Sequence, residues 1–546
     1  MSNQSNPTPP TKCDILVVGA GFGGMYAIYK FREMGYDVAG IEAASDVGGV
    51  WYWNRYPGAR CDLMSVDYSY GFSEEVQQEW TWSEQFAAQP EILAYANFVA
   101  DKLDLRKHFK FNTRVTSAIW DDERKLWVAK TDQGEVLEAP YCIMATGPLS
   151  IPKDPDIKGI KTFKGQLLRA QKWPHHPIDF AGKRVGVIGT GSTGIQIIQE
   201  LGDKVGELFV FQRTPSWTLP MRNHKITPEY DAEMKRNYPA MRDAMKRNPT
   251  GGTRPVSTRP FYSLPPSQRR DVMEHAWLDG GHTFLACFAD LLSNQDANDE
   301  VAKFVREKID ETVKDPATAK ALKPQGYPIF ARRVCLDSNY YETYNRDNVH
   351  LVNLLSDPLI EITEKGILTE SGETELDILI FATGYDALTG ALLAFEVQGQ
   401  DGGTLQDKWK DGPVSYLGMM VDGFPNMFAT SGPNGPAALA NLITIAENDV
   451  DWIAGVISHM DKNGLAKVSI RKAAEDRWMD LVRELAAPSL IRKAKTWWVG
   501  SNVKGKPQGL TMFVGGFDKY KATCDAAAAS GYADCIFEKA KVPKNA

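Results

Sequence analysis

The sequence predicts an α/β protein, and two observations carry that class. Two cassettes, one from Cys13 to Glu42 and one from Arg184 to Arg213, each read as strand, glycine turn, helix and strand, the pattern of a Rossmann-like layer. Between Pro228 and Lys323 the pattern changes to charged, Met-rich segments of helical period, which reads as a helical insertion. A chain of 546 residues is long enough for several cores.

Composition narrows the classes further. Hydrophobic residues make up 43% and charged residues 24%, with aromatics spread along the chain, which excludes a disordered or collagen-like protein. Net charge is −7 with no basic run, so a nucleic-acid partner has no electrostatic support. The seven cysteines are scattered and never spaced as CxxC, which suggests neither a disulfide framework nor a zinc site and fits a cytoplasmic protein. Residues 1–12 read as a disordered polar tail without a signal sequence. No later stretch approaches the ~20 apolar residues of a membrane span, so a membrane partner is not expected.

In the first cassette the apolar run Cys13 to Val18 leads into GAGFGG at 19–24, a helical stretch to Met34, and VAGIE at 38–42. Gly19, Gly21 and Gly24 give GxGxxG, which permits a tight turn and close approach of backbone to a pyrophosphate at a helix N-terminus. Glu42 follows Gly19 by 23 positions, where a carboxylate accepts hydrogen bonds from free ribose hydroxyls and repels a 2′-phosphate. The second cassette repeats the fingerprint as GTGSTG at 189–194, with Gly189, Gly191 and Gly194, but Arg213 and then Thr214 stand where the first has Glu42. A guanidinium there suits a 2′-phosphate. The residue types therefore point to FAD in the first layer and NADP(H) in the second, with hydride passing between them. They leave dioxygen, an external acceptor or a quinone open as the outlet for the flavin's electrons.

Other segments are less specific by themselves. Trp51, Tyr52 and Trp53, in GGVWYWNRYPGARCD at 48–62, suit contact with a planar ring, and the segment ends in Asp62. Arg332 and Arg333 form a basic pair in FARRVCLDSNYY at 330–341. Val301, Phe304, Val305 and Ile309 are spaced to form one apolar face of a helix. The runs before ATG at 145–147 and before ATG at 382–384 match as strand ends that cross between domains. From Tyr385 onward the pattern does not disclose a role.

Together these segments resemble the type I Baeyer–Villiger monooxygenases, class B flavin monooxygenases, over nearly the whole chain. The marks are the two fingerprints, the run Gly49 to Asp62 that fits GxWxxxxYPGxxxD, FATGY at 381–385, and FKGQLLRAQKWP at 163–174. The last supplies Phe163, Gly165, Trp173 and Pro174 of the family's FxGxxxHxxxWP, with Arg169 in place of the histidine. A permanent cation for a titratable ring bears on reduction rate or coupling rather than on reaction type. Trp173 and Pro174 favour the ketone-oxygenating branch over the branch that oxidises nitrogen and sulfur.

The resemblance implies NADPH- and O2-dependent conversion of ketones to esters or lactones through a flavin C4a-peroxide, with sulfoxidation as a side activity. A sulfur- or nitrogen-oxidising monooxygenase and an uncoupled NADPH oxidase are the alternatives. It implies catalysis by Arg333 and Asp62, and FAD contacts from Gly19, Gly21, Phe22, Gly24, Glu42, Val50, Trp51, Tyr52, Trp53, Asp62, Tyr68 and Val115. NADP contacts are implied for Arg60, Gly189, Thr190, Gly191, Ser192, Thr193, Gly194, Gln196, Arg213, Thr214, Arg332, Arg333 and Trp497. Pro436, Ala437, Ala438, Leu439, Ala440 and Leu442 would line the substrate pocket. The expected organisation is an FAD domain from 13–147 and 384–546, an NADP domain from 148–222 and 328–383, and a helical insertion over 223–327. A monomer without a metal is expected.

Overall fold

The computed structural model describes residues 10–153 and 155–540, except the side chain of Ala438. Residues 1–9 of the expected tail lie outside these. Thr11 and Lys12 do not belong to a disordered tail: they form a short strand parallel to Leu137 and Glu138.

The first layer is a five-stranded parallel sheet. Its order is Met427–Ala429, Tyr141–Met144, Ile15–Val18, Val38–Ile41 and Phe109–Lys110. Ile15–Val18 and Tyr141–Met144 are buried at every position, as expected of unbroken apolar strands covered on both faces. The helix Phe22–Glu33 follows the glycine turn and packs against the long helix Leu442–Lys462, so the two ends of the chain share one core.

The second layer repeats this plan. Val349–Asn353, Glu207–Gln212, Arg184–Ile188, Ile378–Phe381 and Gln166–Arg169 lie parallel in that order, with the helix Ser192–Leu201 after the second glycine turn. In each sheet the strand before an ATG run lies beside the fingerprint strand, Val18 opposite Met144 and Ile188 opposite Phe381. The turns that follow take left-handed glycines, Gly147 at φ 70° and Gly384 at φ 81°.

The segment between the halves of the second layer is helical over Pro228–Lys246, Pro266–Asp279, Thr283–Ala286, Gln295–Thr312 and Pro316–Leu322. Thr227, Asn294 and Asp315 cap three of these by accepting hydrogen bonds from the backbone N–H three residues on. Val301, Phe304 and Val305 face a core with Trp217, Phe284 and Phe330, while Ile309, one turn on, enters the core of the second layer. One apolar face thereby joins two cores.

Candidate active site

The two glycine turns have the same geometry. Gly19 has φ 109° and Gly189 φ 108°, and a Cβ there would lie 2.5 Å from the Ala145 carbonyl oxygen and 2.6 Å from that of Ala382. A Cβ on Gly24 would lie 1.8 Å from the Gly19 oxygen, and one on Gly194 2.0 Å from the Gly189 oxygen. Only glycine fits, because helix and strand approach too closely for any side chain. The helices begin at Gly21 and Gly191 with no side-chain cap and no acidic residue in the first turn. Their N-terminal N–H groups remain available to an anion, which is what a pyrophosphate requires.

Beside the first turn lies a cavity of about 570 Å³ lined by Gly19, Gly21, Phe22, Glu42, Val50, Trp53, Tyr68 and Val115, all expected at a flavin. The Glu42 carboxylate accepts from the backbone N–H groups of Ala20 and Ala44, each at 2.7 Å. Burial raises its pKa, and these two bonds oppose the rise. Gly49, at φ 54°, approaches so closely that a Cβ would lie 2.8 Å from the Gly21 Cα. Other residues expected at the flavin do not line this cavity. Trp51 is packed in the core with its indole N–H donating to the Tyr68 hydroxyl at 3.0 Å, and the Tyr52 hydroxyl pairs with Ser45 at 2.7 Å. Asp62 lines a different cavity, and Leu442, expected at substrate, lines this one.

At the second turn Thr190 Oγ1 donates to the Thr214 carbonyl at 3.0 Å, and Ser192 Oγ lies 3.2 Å from Cys335 Sγ. Arg213 is exposed after its strand. The Arg332 guanidinium lies 4.1 Å over the Tyr327 ring, and among the described residues its buried Nε has no hydrogen-bond partner. Burial and the charge of Arg213 both lower the pKa of Arg332, and burial and Arg213 do the same to Lys153. Among the described residues none of these three cations has a carboxylate within ion-pair distance, so the group fits a phosphate dianion. Lys153 was not legible in the sequence, since it lies in a loop outside either cassette. Gln196 and Arg60, both expected at NADP(H), also tie the layers together: the Gln196 amide accepts from the Tyr56 hydroxyl at 2.9 Å and donates to the Arg60 carbonyl at 3.0 Å, while the Arg60 guanidinium bonds to Glu84 and the Phe86 carbonyl.

Between the layers, Asp62 and Arg333 meet in a bidentate pair, Nε to Oδ2 at 2.7 Å and Nη2 to Oδ1 at 2.6 Å. About a quarter of each side chain, 24% and 26%, stays exposed to a cavity of about 350 Å³. Burial disfavours charge on Asp62, but the Arg333 guanidinium outweighs it and holds the carboxyl well below the usual range. Burial likewise opposes the Arg333 charge and Asp62 overcomes it, so both groups are ionised. The apolar walls include Leu285, Phe288, Leu292 and Phe513, with Pro436, Leu439 and Ala440 from the expected substrate loop. Ala437 is fully buried and does not line this cavity, and the Ala438 side chain lies outside the described residues. Trp497, expected at NADP(H), does not line this cavity; its neighbour Trp498 does, and among the described residues its buried indole N–H has no hydrogen-bond partner. His282 also lines it and had no sequence signal, being a single histidine after a glycine pair.

In the fingerprint segment, Phe163 packs in the apolar cluster around Ile367, and a Cβ on Gly165 would lie 2.5 Å from the Phe163 ring. Arg169 ends the edge strand opposite Phe381, and Trp173, 7% exposed, packs in the second core ahead of Pro174. Gln171 from the same segment donates to the Gly384 carbonyl at 2.9 Å, tying it to the crossover.

These features define a two-nucleotide flavoprotein oxidoreductase, and the comparisons with known proteins place it among relatives. Residues 12–246 match the flavin-binding monooxygenase-like family model. The chain is 41% identical, over 96% of its length and 98% of the relative's, to an acetone monooxygenase (methyl acetate-forming) from a Gordonia species. It superposes on oxidised steroid monooxygenase bound to NADP with a TM-score of 0.94 at 43% identity, over 97% of this chain and 100% of that one. A complex of OTEMO with FAD and NADP gives 0.93 at 39% identity over the same shares. The chain belongs to the type I Baeyer–Villiger monooxygenases, a flavin-binding family.

Among the described residues no helix is long and apolar enough to cross a membrane. Among the same residues no group of three His, Cys, Asp or Glu side chains could hold a metal ion.

Proposed function

We propose that this chain oxidises ketones to esters or lactones with NADPH and dioxygen, and that Arg333 is its catalytic cation and Asp62 the group that aims it. The single observation that carries the reading is the bidentate Asp62–Arg333 pair at the wall of an apolar cavity between two dinucleotide crevices. Segments 13–147 and 384–546 carry FAD, segments 148–222 and 328–383 carry NADP(H), and 223–327 is the helical insertion.

Gly19, Gly21 and Glu42 would hold FAD, with Phe22, Val50, Trp53, Tyr68 and Val115 around it. Gly189, Gly191 and the cations Arg213, Arg332 and Lys153 would hold NADP(H). When bound, the flavin supplies acceptance of hydride from NADPH and activation of dioxygen. The chain supplies the surroundings. Arg333 cannot lose its charge at any working pH, and its pairing with Asp62 fixes the plane of its donors before reaction. Donors held in that plane stabilise negative charge that develops on the carbonyl oxygen, and water-poor walls make each of them count for more. Leu285, Phe288, Leu292 and Leu439 exclude water and receive the ketone's apolar body. The protein works as a cytoplasmic monomer.

The test is to purify the yellow protein and supply NADPH in air with phenylacetone or cyclohexanone, following NADPH, hydrogen peroxide and product together. Ester or lactone in step with NADPH supports the reading. Peroxide alone from both ketones and from bulkier ones supports an oxidase, and sulfoxide or N-oxide without ester supports the other oxygenating branch.

A further inference from the structure

Asp62 and Arg333 have a third neighbour. His282 Nε2 lies 3.4 Å from Arg333 Nη2 and 3.6 Å from Asp62 Oδ2, and 22% of the ring is exposed to the same cavity. One hydrogen of Nη2 goes to Asp62 Oδ1, so the other points at the imidazole.

The backbone holds this ring in place. His282 follows two left-handed glycines, Gly280 at φ 70° and Gly281 at φ 61°, and precedes the helix Thr283–Ala286. Arg254 clamps the turn from outside, its Nη1 donating to the Gly280 carbonyl at 3.1 Å and to the Thr283 hydroxyl. A Cβ at Gly281 would lie 3.0 Å from that same nitrogen. The clamp fixes where the ring enters the cavity.

We propose that His282 is a positioning residue for Arg333. Its neutral ring accepts the second Nη2 hydrogen and so locks the guanidinium plane, whereas the imidazolium competes for Asp62 and repels Arg333, releasing that plane.

The charged groups facing the ring come from three other segments: Asp62, which favours its protonation, and Arg333 and Arg254, which oppose it. Asp67 also lines the cavity. Burial leads and the two arginines add to it, so the ring titrates below the ordinary histidine value and is neutral in the working range. As pH falls through that titration, the lock is lost.

This inference rests on the proposed role of Arg333, and the experiment separates the two. Holoenzymes of wild type, His282→Asn and His282→Ala are compared from roughly pH 5 to 8 for the share of NADPH appearing as ester rather than peroxide. The expected result is a wild-type share that falls on the acid side. In His282→Ala the share drops about tenfold throughout, and His282→Asn, which accepts a hydrogen bond but does not titrate, recovers most of that loss with a flattened acid limb. An acid limb unchanged in His282→Asn, or full coupling in His282→Ala, overturns the proposal.

A second measurement needs no turnover. With the histidines labelled at Cε1, the His282 resonance, assigned by its absence in His282→Asn, should titrate at higher pH in Arg333→Ala holoenzyme than in wild type, since the neighbouring cation is gone and Asp62 remains. An unmoved titration overturns the contact. Failure to form any ester with wild type overturns the proposed function while leaving this readout intact.

Discussion

Arg333 and Asp62 stand 271 positions apart in the chain, and folding turns them into one unit with two parallel hydrogen bonds. Removing one member strands the other: loss of Asp62 leaves a cation in a partly dry cavity with its donors unaimed. Arg333→Ala should therefore retain FAD and the yellow colour while ester formation falls by about 10²-fold or more, read as product per NADPH consumed. The cofactor choice is equally local. Replacing Arg213 by Gln should lower the kcat/KM preference for NADPH over NADH by about tenfold, because one of three clustered cations is removed from the phosphate. Equal preference before and after would place the phosphate elsewhere. Glu42 and Arg213 were legible because each sits at a fixed distance after a glycine fingerprint. Asp62 and Arg333 were named through family resemblance, since no local spacing relates them, and His282 and Lys153 were not legible at all. Their roles arise from neighbours supplied by other segments.

The glycine turns carry the clearest link from sequence to function. A methyl group at Gly24 or Gly194 collides with a backbone oxygen of its own turn, so each substitution pushes a helix away from its strand. Gly24→Ala should give colourless or weakly yellow protein, read from flavin absorbance. Gly194→Ala should stay yellow with KM for NADPH raised about tenfold or more. The reverse assignment of losses would exchange the two crevices. The cassettes, the apolar helix at Gln295–Thr312 and the strands before ATG were legible because continuous apolar runs and helical period are local patterns. The C-terminal part was not, because its helix Leu442–Lys462 is buried along much of its length and is defined by what packs on it. That helix also holds Asp449, whose carboxylate accepts from the Tyr520 hydroxyl at 2.6 Å and the Ser431 N–H at 2.8 Å. Burial pushes its pKa up to about 7, well above the unfolded value. The folded chain thus binds the proton more tightly, and this group's contribution to stability falls as pH rises from about 4 through about 7. Asp449→Asn should lose less stability than wild type between those limits, measured by thermal unfolding of the holoenzyme; a steeper loss would reverse the sign.

Side-chain contacts tie the two layers together. The Tyr56–Gln196–Arg60 bridge connects the aromatic loop of the first layer to the fingerprint helix of the second, and a Cβ on Gly58 would lie 2.4 Å from the Gln196 carbonyl oxygen. Gln196 was expected at NADP(H) through the family resemblance alone; its helix follows the second glycine turn, and its side chain also reaches the opposite layer. Gln196→Ala should leave the flavin bound and raise the peroxide share of NADPH consumption several-fold, about half a decade, since the layers lose a fixed contact between the aromatic loop and the second fingerprint helix. The expected pairing of chain ends around one nucleotide and of two central segments around another follows from recurrent strands, but the meeting of Asp62 with Arg333 across the layers is a property of the assembled fold. The most direct measurement is turnover with NADPH, a ketone and ¹⁸O-labelled dioxygen, comparing wild type with Arg333→Ala by mass spectrometry of the product. Wild type should give an ester or lactone carrying a single labelled oxygen in step with NADPH, and the variant labelled peroxide with little ester. Unlabelled product, or the same ester yield without Arg333, would contradict the proposed function.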